Sequence, residues 1–149
     1  MTIHIPDHPV VSVFTLIRLI NDGVRDQLSE LLPEELNVPQ FELLRLLDMG
    51  DGRTPAEIAT ALHEPKSGVT ATLQRLEASG FVRIEPCAED GRKKRVMLTP
   101  AGLDVYTRAR NAIRPQMDKL REAFTLNEFR EALPFLKALQ TWFAQRDWD

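Results

Sequence analysis

The residues from Thr54 to Thr99 constrain the fold more tightly than any other part of the chain, because they predict two short helices followed by a hairpin. Thr54 is a favourable N-cap, the proline after it suits the first helical position, and Glu57 completes a capping box. A second helix is predicted to begin at Pro65. Its apolar residues recur at i, i+4 and i+7, the spacing of one helical face; they are Val69, Leu73 and Leu76.

After Gly80 the apolar period changes from that of a helix to that of a strand. Gly80 is expected to end the second helix, because glycine adopts positive φ without strain. Residues 81–85 predict one strand and residues 95–98 predict its return. Four consecutive basic residues stand where the connecting loop meets the return strand: Arg92, Lys93, Lys94 and Arg95. A hairpin tip with this charge cannot be buried and requires either solvent or a polyanion.

Helical patterns also precede this segment. Residues 10–32 predict one long helix with an apolar stripe at steps of three and four, in which Asn21 is the single polar member. Pro33 is expected to end that helix. Asn37 is expected to begin a short helix, with Gln40 completing a capping box. The inner face of this short helix is predicted to consist of Phe41, Leu44 and Leu47.

Two further helices are predicted after the hairpin. Thr99-Pro100 begins the first, in which Pro115 is expected to cause a kink. Thr125 begins the second with a capping box to Glu128, and Pro134 predicts a local bend within it. This last helix is apolar on two faces, and a helix of that kind buries both. One chain supplies too few layers to cover it, so we expect the first and last helices to pack against a second copy.

The charge is distributed unevenly along a chain that is acidic as a whole. The 149 residues carry a net charge of −3 and are 43% apolar and 28% charged, a composition typical of globular proteins. Residues 53–95 hold eight Lys/Arg and six Asp/Glu, a balance of +2, whereas the remainder has a balance of −5. The overall acidity therefore argues only weakly against nucleic acid, because the acidic groups lie away from the candidate polyanion-binding segment.

Several classes of protein are disfavoured by what the sequence contains. No run of about 18 apolar residues predicts a membrane span, and the N-terminus lacks the basic and apolar regions of a signal peptide. A single cysteine, Cys87, cannot form an internal disulfide and fits a reducing cytoplasm. His4, His8 and His63 have no metal-binding spacing. No nucleophile elbow, Walker loop or dinucleotide fingerprint is present, so we expect neither a metal, nor a cofactor, nor enzyme activity.

Five segments, taken in order and spacing, resemble the MarR-type transcriptional regulators. They are Ala59 with Leu62, Ser67–Thr70, Leu76–Val82, Asp90–Arg92 and Leu98–Gly102. The resemblance covers nearly the whole chain. It implies a mainly α fold with a small β wing (α+β), that is, a winged helix-turn-helix with N- and C-terminal dimerisation helices.

The same resemblance implies a single domain, residues 1–149, with a DNA-binding lobe at about 37–99 and dimerisation helices at about 8–32 and 100–146. In function it implies a cytoplasmic, homodimeric repressor that binds a pseudo-palindromic operator in double-stranded DNA and is released by a small aromatic or phenolic effector. The alternative is a winged-helix module that binds protein instead of DNA. Salt separates the two, because DNA binding weakens steeply with ionic strength.

The outer face of the helix predicted to begin at Pro65 is the candidate base-reading surface. Solvation alone would explain a polar face, but small hydroxyl residues at a helix N-terminus also permit close approach to phosphate. The basic hairpin beside it favours DNA contact. Gln74 can read an adenine edge, and Arg75 can contact phosphate or guanine. The candidate DNA-binding residues of the two short helices are Thr54, Lys66, Ser67, Gly68, Thr70, Ala71, Gln74 and Arg75.

In the hairpin, the resemblance implies that Arg92 enters the minor groove and that Asp90 supports the wing by steadying this arginine. Lys93, Lys94 and Arg95 complete the candidate DNA contacts, with a merely solvated charge run as the alternative. Alternation along the strand places Arg92 and Lys94 on one side, and Lys93 and Arg95 on the other.

The chain departs from the family pattern at two positions. Many members carry an arginine where Ala71 stands, a departure that bears on the base code and not on the docking. The family often has a second arginine where this chain has Gly91, which loosens the tip of the wing and leaves one inserting arginine.

Phe14, Arg18 and Asn21 are the candidate effector-binding residues of the first helix. Asn21 has two interpretations: a buried group that sets helix register at the dimer seam, which we favour, or a hydrogen-bonding group in an effector pocket. Some relatives sense oxidants through cysteines near the N-terminus. Cys87 does not match these, and we expect it to be inert.

Overall fold

The fold is that of a computed structural model, which describes residues 4–5, 7–50 and 52–145. Asp51, for which the sequence predicts a turn with its neighbours Gly50 and Gly52, and residue 146 of the predicted last helix lie outside the described residues. Within them the chain forms six helices and one two-stranded sheet. In chain order the elements are α1 (Pro9–Leu31), α2 (Val38–Met49), α3 (Pro55–Leu62), α4 (Lys66–Ala78), β1 (Val82–Pro86), β2 (Lys94–Leu98), α5 (Pro100–Ala123) and α6 (Leu126–Ala144).

The chain divides into two compact units, one ending at Ile113 and the other beginning at Arg114. The first unit has a core to which α2, α3, α4, the sheet and the start of α5 contribute. Its most deeply buried side chains are Leu43, Leu44, Leu47, Ile58, Leu76, Val96 and Val105. The inner faces predicted for the short helices α2 and α4 are confirmed. On α3, Ile58 and Ala59 are buried while Leu62 is half-buried.

Side-chain caps fix the starts of α2 and α6 as predicted. Asn37 and Gln40 each accept a hydrogen bond from the other's backbone N–H, both at 2.9 Å. Thr125 and Glu128 form the same reciprocal pair at α6. The backbone and hydroxyl hydrogen bonds from Thr125 lower the pKa of the Glu128 carboxyl, because they stabilise its ionised form.

At α3 only half of the predicted capping box forms. Thr54 Oγ1 accepts from the Glu57 N–H at 3.2 Å, but among the described residues the Thr54 N–H does not donate to the Glu57 carboxylate in return. The C-cap of this helix is His63, whose φ of 52° is left-handed and unusual for a residue other than glycine. The Glu64 N–H donates to the Ala59 carbonyl at 3.0 Å across this turn.

The end of α4 sets the start of the hairpin. Gly80 has φ 79°, as the sequence predicts, and its N–H donates to Glu77 O at 3.0 Å. The Phe81 N–H donates to Leu76 O at 2.9 Å. Because this cap uses the Phe81 amide, β1 begins at Val82, one residue later than predicted.

The two strands pair antiparallel, from Val82 opposite Leu98 to Pro86 opposite Lys94. Each runs one residue further into the loop than predicted. Val96 also pairs with Arg53 on its other side, where its N–H donates to Arg53 O at 2.8 Å. The segment before α3 is thereby attached to the hairpin as a third, one-residue edge.

Thr99 and Gly102 form a tight corner where the hairpin enters α5. Thr99 Oγ1 donates to Gly80 O at 2.6 Å and accepts from the Gly102 N–H at 3.0 Å, so one hydroxyl links the end of α4 to the start of α5. A Cβ at position 102 would overlap the Phe81 carbonyl oxygen and lie 2.9 Å from Leu98 Cδ1. Only glycine fits this approach of two backbones.

The long helices expose apolar side chains in the single chain. Neither α1 nor α6 contains a buried residue. On α1 the exposed apolar residues include Val10, Phe14, Ile17, Ile20 and Val24. In the second unit they include Met117, Leu120, Phe124, Phe129, Leu133, Phe135, Leu136, Trp142 and Phe143. Pro115 and Pro134 lie inside α5 and α6, both of which continue past them; the bends expected there stay predictions. Among the described residues, no helix has the length and apolar character needed to cross a membrane.

The Thr99–Gly102 corner yields a stability prediction. We expect Gly102→Ala to destabilise the protein by about 3 kcal/mol, because the methyl group meets backbone that cannot move aside cheaply. Gly68→Ala is the matched control. No atom lies within 4 Å of a Cβ there, so it should stabilise α4 by roughly 0.5–1 kcal/mol. Urea titrations measure both, and equal stabilities for the two variants would contradict the assignment.

Candidate DNA-binding surface

The predicted base-reading residues lie together on one exposed face of α4. The opposite face is committed to the core, with Val69, Leu73 and Leu76 at most 3% exposed. Every candidate residue of this helix is exposed. They are Lys66, Ser67, Gly68, Thr70, Ala71, Gln74 and Arg75. The structure thus brings the predicted set together on a surface that the rest of the first unit leaves accessible.

The N-terminus of α4 is suited to an anion. Its N-cap is Pro65, which provides no side-chain hydrogen bond to the first turn. A helix begins with backbone N–H groups that lack an intrahelical partner, and these favour phosphate. Gly68 in the same turn leaves open space around its backbone. A phosphate can therefore approach this turn more closely than it could approach a turn that carries large side chains.

The polar side chains of α4 differ in whether they already make hydrogen bonds within the protein. Thr70 Oγ1 donates to Lys66 O at 2.9 Å, which leaves its hydroxyl oxygen as an acceptor. Gln74 and Arg75 make no side-chain hydrogen bond or ion pair with another described residue, so both are free to meet a base or a phosphate. Thr54, on the preceding helix, uses its hydroxyl oxygen to cap α3. Its predicted DNA contact stays a prediction.

Asp90 contacts the backbone of the wing in a way that sequence reasoning did not identify, and its predicted role as a support of the wing stays a prediction. Its carboxylate Oδ1 accepts from the backbone N–H of Arg92 at 3.0 Å, and its carbonyl accepts from the Lys93 N–H at 3.0 Å. No ion pair joins the Asp90 carboxylate to the Arg92 guanidinium among the described residues. Asp90 therefore orders the backbone of the tip and leaves the charge of Arg92 free. Arg92, Lys93 and Lys94 are all exposed.

Arg95 differs from the other three basic residues of the wing. Its Nε donates to Cys87 Sγ at 3.3 Å and its Nη1 donates to Gly52 O at 3.1 Å. Sequence reasoning grouped Arg95 with the DNA contacts, and Glu85 and Glu89 are the acidic residues nearest to Cys87 in the sequence. Glu85 instead pairs with Arg83 at 2.5 Å. The pairing register of the hairpin is the one signal that could have suggested the contact between positions 87 and 95.

Cys87 is buried at the base of the wing, with 7% of its surface exposed. The hydrogen bond from Arg95 lowers the pKa of its thiol, and the backbone N–H groups of Glu89 and Asp90 act in the same direction against the opposing effect of burial. The thiol is thus a hydrogen-bonded part of the wing, while its inertness stays a prediction.

The candidate effector residues lie on one face of α1. Phe14 and Asn21 are exposed in the single chain, and Arg18 pairs with Asp22 at 3.3 Å. None of the three belongs to the surface formed by α4 and the wing. No group of three or more His, Cys, Asp or Glu side chains among the described residues is placed to hold a metal ion.

Comparison with known proteins agrees with this geometry. A sequence model of the MarR family matches residues 35–93. The solved structure of the transcriptional repressor CouR bound to a 23-mer DNA duplex superposes with a TM-score of 0.75 at 26% identity, covering 84% of this chain and 89% of that one. Over residues 35–93 the sequence of the chain is therefore similar to that of the MarR family. The PcaV regulator from Streptomyces coelicolor, solved with its natural ligand, has the same fold, with a TM-score of 0.77 at 18% identity over 95% of this chain and 97% of that one.

The curated relatives are named as transcriptional regulators. YpoP and YfiV of Bacillus subtilis (strain 168) are 30% and 35% identical over 88 residues, 59% of this chain. The match spans only 62% and 54% of those two proteins. Rv2887, an HTH-type transcriptional repressor of Mycobacterium tuberculosis, is 27% identical over 125 residues, which is 83% of this chain and 90% of that protein. The likeness to YpoP and YfiV therefore concerns little more than half of each relative.

The free side chains of α4 and the wing predict two different losses on mutation. Arg92→Ala should weaken binding to an operator and to random DNA together, and should flatten the salt dependence by about one unit if Arg92 neutralises one phosphate. Gln74→Ala should instead lower discrimination between them, by roughly 1–3 kcal/mol for a bidentate base contact.

These losses are measured by titrating a duplex selected from a random pool, and its scrambled counterpart, across a salt series. Lys119→Ala, which removes a cation from the second unit, is the control. If Arg92→Ala binds both duplexes as the control does, then the wing is a solvated loop.

Proposed function

We propose that this protein is a sequence-specific DNA-binding transcriptional regulator, that it acts as a homodimer in the cytoplasm, and that it represses. The observation that carries the proposal is the surface formed by the exposed face of α4 and the basic wing within one unit. The uncapped first turn of α4 supplies donors for phosphate, and its outer face supplies Gln74 and Arg75 for base edges. The names of Rv2887 and CouR, both called repressors, support the direction of regulation.

In this proposal the wing and α4 contact neighbouring grooves of the duplex. Helix α4 enters the major groove with its N-terminal residues first, because these carry the smallest side chains. Arg92 reaches the flanking minor groove from a tip that Asp90 orders. The DNA complex of CouR supports a DNA-binding role for the shared fold.

A second copy of the chain is the partner that the apolar surfaces favour. Helix α1 and the helical residues of the second unit expose many large apolar side chains, more than an isolated monomer retains on a stable surface. We assign these segments, about 8–32 and 100–146, to dimerisation, and residues of about 37–99 to DNA binding. A two-fold dimer presents two recognition helices to one side of a duplex.

A protein-binding role without DNA is the competing function. A contact built on apolar surface would depend weakly on salt, whereas neutralisation of several phosphates gives a steep dependence. The exposed charges of Arg75, Arg92, Lys93 and Lys94 favour DNA, because an apolar interface would have to bury them.

We extend the proposal to a small aromatic or phenolic effector bound near α1, with Phe14, Arg18 and Asn21 as its candidate contacts. The ligand complex of PcaV concerns that protein alone, and its fold is what the two share. An aromatic ring, a cation and an amide on one helical face form a suitable set for an aromatic acid.

Dimeric operator binding is the central prediction. Sequences selected from random DNA should contain two half-sites about 10 bp apart, one helical turn, because the two recognition helices follow one face of the duplex. Light scattering at micromolar concentration should give twice 17.0 kDa. A stable monomer, or selected sequences without a repeated half-site, would contradict the dimer.

A substitution at Asn21 distinguishes the two interpretations of its role. If Asn21 sets register at the dimer seam, Asn21→Val should raise thermal stability and leave DNA release unchanged, because an apolar group replaces a polar one in an apolar stripe. The measurement is the melting temperature together with release of the selected duplex by an aromatic acid such as salicylate. A stable, DNA-binding variant that no longer responds would instead place Asn21 in an effector pocket.

A further inference from the structure

Among the basic residues of the wing, Arg95 is the one whose side chain makes hydrogen bonds to other described residues. Its guanidinium donates two hydrogen bonds within the first unit, to Cys87 Sγ at 3.3 Å and to Gly52 O at 3.1 Å. Arg92, Lys93 and Lys94 make no side-chain bond to another described residue. Of the four consecutive cations, three therefore have unbonded side chains, and the fourth, Arg95, is hydrogen-bonded within the lobe.

The two partners of Arg95 belong to different parts of the lobe. Cys87 is the first residue after β1 and begins the wing loop. Gly52 lies 43 residues from Arg95, in the segment that leads into α3, and its N–H donates to Val96 O at 3.1 Å. One guanidinium therefore links the loop of the wing to the entrance of the helix-turn-helix.

The chemistry of both partners suits an arginine. The planar guanidinium presents donors in two directions, which a lysine cannot reproduce. The carboxylates of Glu89 and Glu57 lie in electrostatic range and further favour the cation. Gly52 has φ 78°, a conformation that favours glycine, and this conformation places its carbonyl within 3.1 Å of Arg95 Nη1.

We propose that Arg95 is a positioning residue, which fixes the wing against the segment leading into α3, and that it makes no DNA contact of its own. Although Arg95 is exposed, two of its five N–H donors are already used by acceptors of the lobe itself. This inference rests on the proposed DNA-binding function for its consequence, but its structural half can be measured without DNA.

The contact of Arg95 adds to the attachment of the wing. A two-stranded hairpin is marginally stable by itself; here the buried Val82 and Val96 belong to the core, and the pair of Arg53 with Val96 joins the hairpin to a third segment. The tip must nevertheless lie at a fixed distance from α4 if both are to meet one duplex. The guanidinium adds a further attachment beside that pair, on the loop side of the sheet.

Hydrogen exchange in the free protein tests the structural half. Arg95→Ala should speed exchange of the Gly52, Cys87 and Val96 amides by about tenfold, because the wing opens locally more often. Lys93→Ala is the matched control, since it removes a neighbouring cation that holds nothing, and should leave these amides unchanged. Wild-type exchange in Arg95→Ala would overturn the proposal, whether or not the protein binds DNA.

A salt series with the selected duplex tests the functional half. Arg95→Ala should weaken binding by about three- to tenfold at every salt concentration while keeping the wild-type slope, because no phosphate contact is lost. Lys93→Ala should flatten the slope by about one unit. Arg95→Lys keeps the charge but not the two-directional donor set, and should bind as weakly as Arg95→Ala. Wild-type affinity in Arg95→Lys, together with a flattened slope in Arg95→Ala, would identify Arg95 as a phosphate contact and overturn the proposal.

Cys87→Ala supplies an independent variant, because it removes one partner of Arg95 without changing any charge. It should speed exchange at Gly52 and weaken the selected duplex with an unchanged slope. If both measurements match wild type, the thiol does not hold Arg95 and the proposal is wrong. If wild-type protein binds no duplex at all, the proposed function fails, and the exchange of Arg95→Ala still decides the position of the wing.

Discussion

The backbone of Val96 is the constraint on which the arrangement of the lobe depends. The Val96 side chain is fully buried, and within the sheet Val96 lies opposite Ile84 of β1. On its other side, the Val96 N–H donates to Arg53 O and the Val96 carbonyl accepts from the Gly52 N–H. This residue therefore joins the wing to the segment that begins the helix-turn-helix. The two strands and the segment before α3 are thus connected by backbone hydrogen bonds at one buried residue. A surface that meets two grooves of DNA requires such a rigid connection.

Ion pairing sorts the cations of the chain into two groups. Arg18, Arg83 and Arg108 each pair with a carboxylate at 3.3 Å or less. Within the described residues, Arg75 and the three free cations of the wing have no such partner. The net acidity of the chain is therefore compatible with a polyanion ligand, because none of the ion pairs among the described residues involves these four cations.

Local patterns determined most of the fold, and they were readable in the sequence. The buried faces of α2 and α4, the caps at Asn37 and Thr125, and the positive φ of Gly80 all depend on residues within one or two helical turns. The differences arise where one backbone group serves two elements. The Phe81 amide completes the cap of α4 and so delays the start of β1.

The sequence predicted which residues of α4 face outward in the candidate site, but not the contacts that Arg95 and Asp90 make. Helical spacing alone places Gln74 and Arg75 on the face opposite the core. The contact between Arg95 and Gly52 joins positions 43 residues apart, and no periodicity carries that information. Alternation along a strand also says nothing about Asp90, whose carboxylate bonds to backbone in a loop and not to the arginine beside it.

The two departures from the family pattern acquire a physical meaning from these contacts. Gly91 does not adopt positive φ, so the backbone would accept an arginine there, and its absence removes a charge without a conformational reason. Ala71 removes another potential cation from the exposed face of α4. With fewer charges available, affinity must depend more on how accurately the remaining ones are held, because each misplaced cation is a larger share of the electrostatic attraction. The bonds of Asp90 to the tip and of Arg95 to the base of the wing act at the two ends of the same loop, and both order its backbone without consuming the charges of Arg92, Lys93 or Lys94.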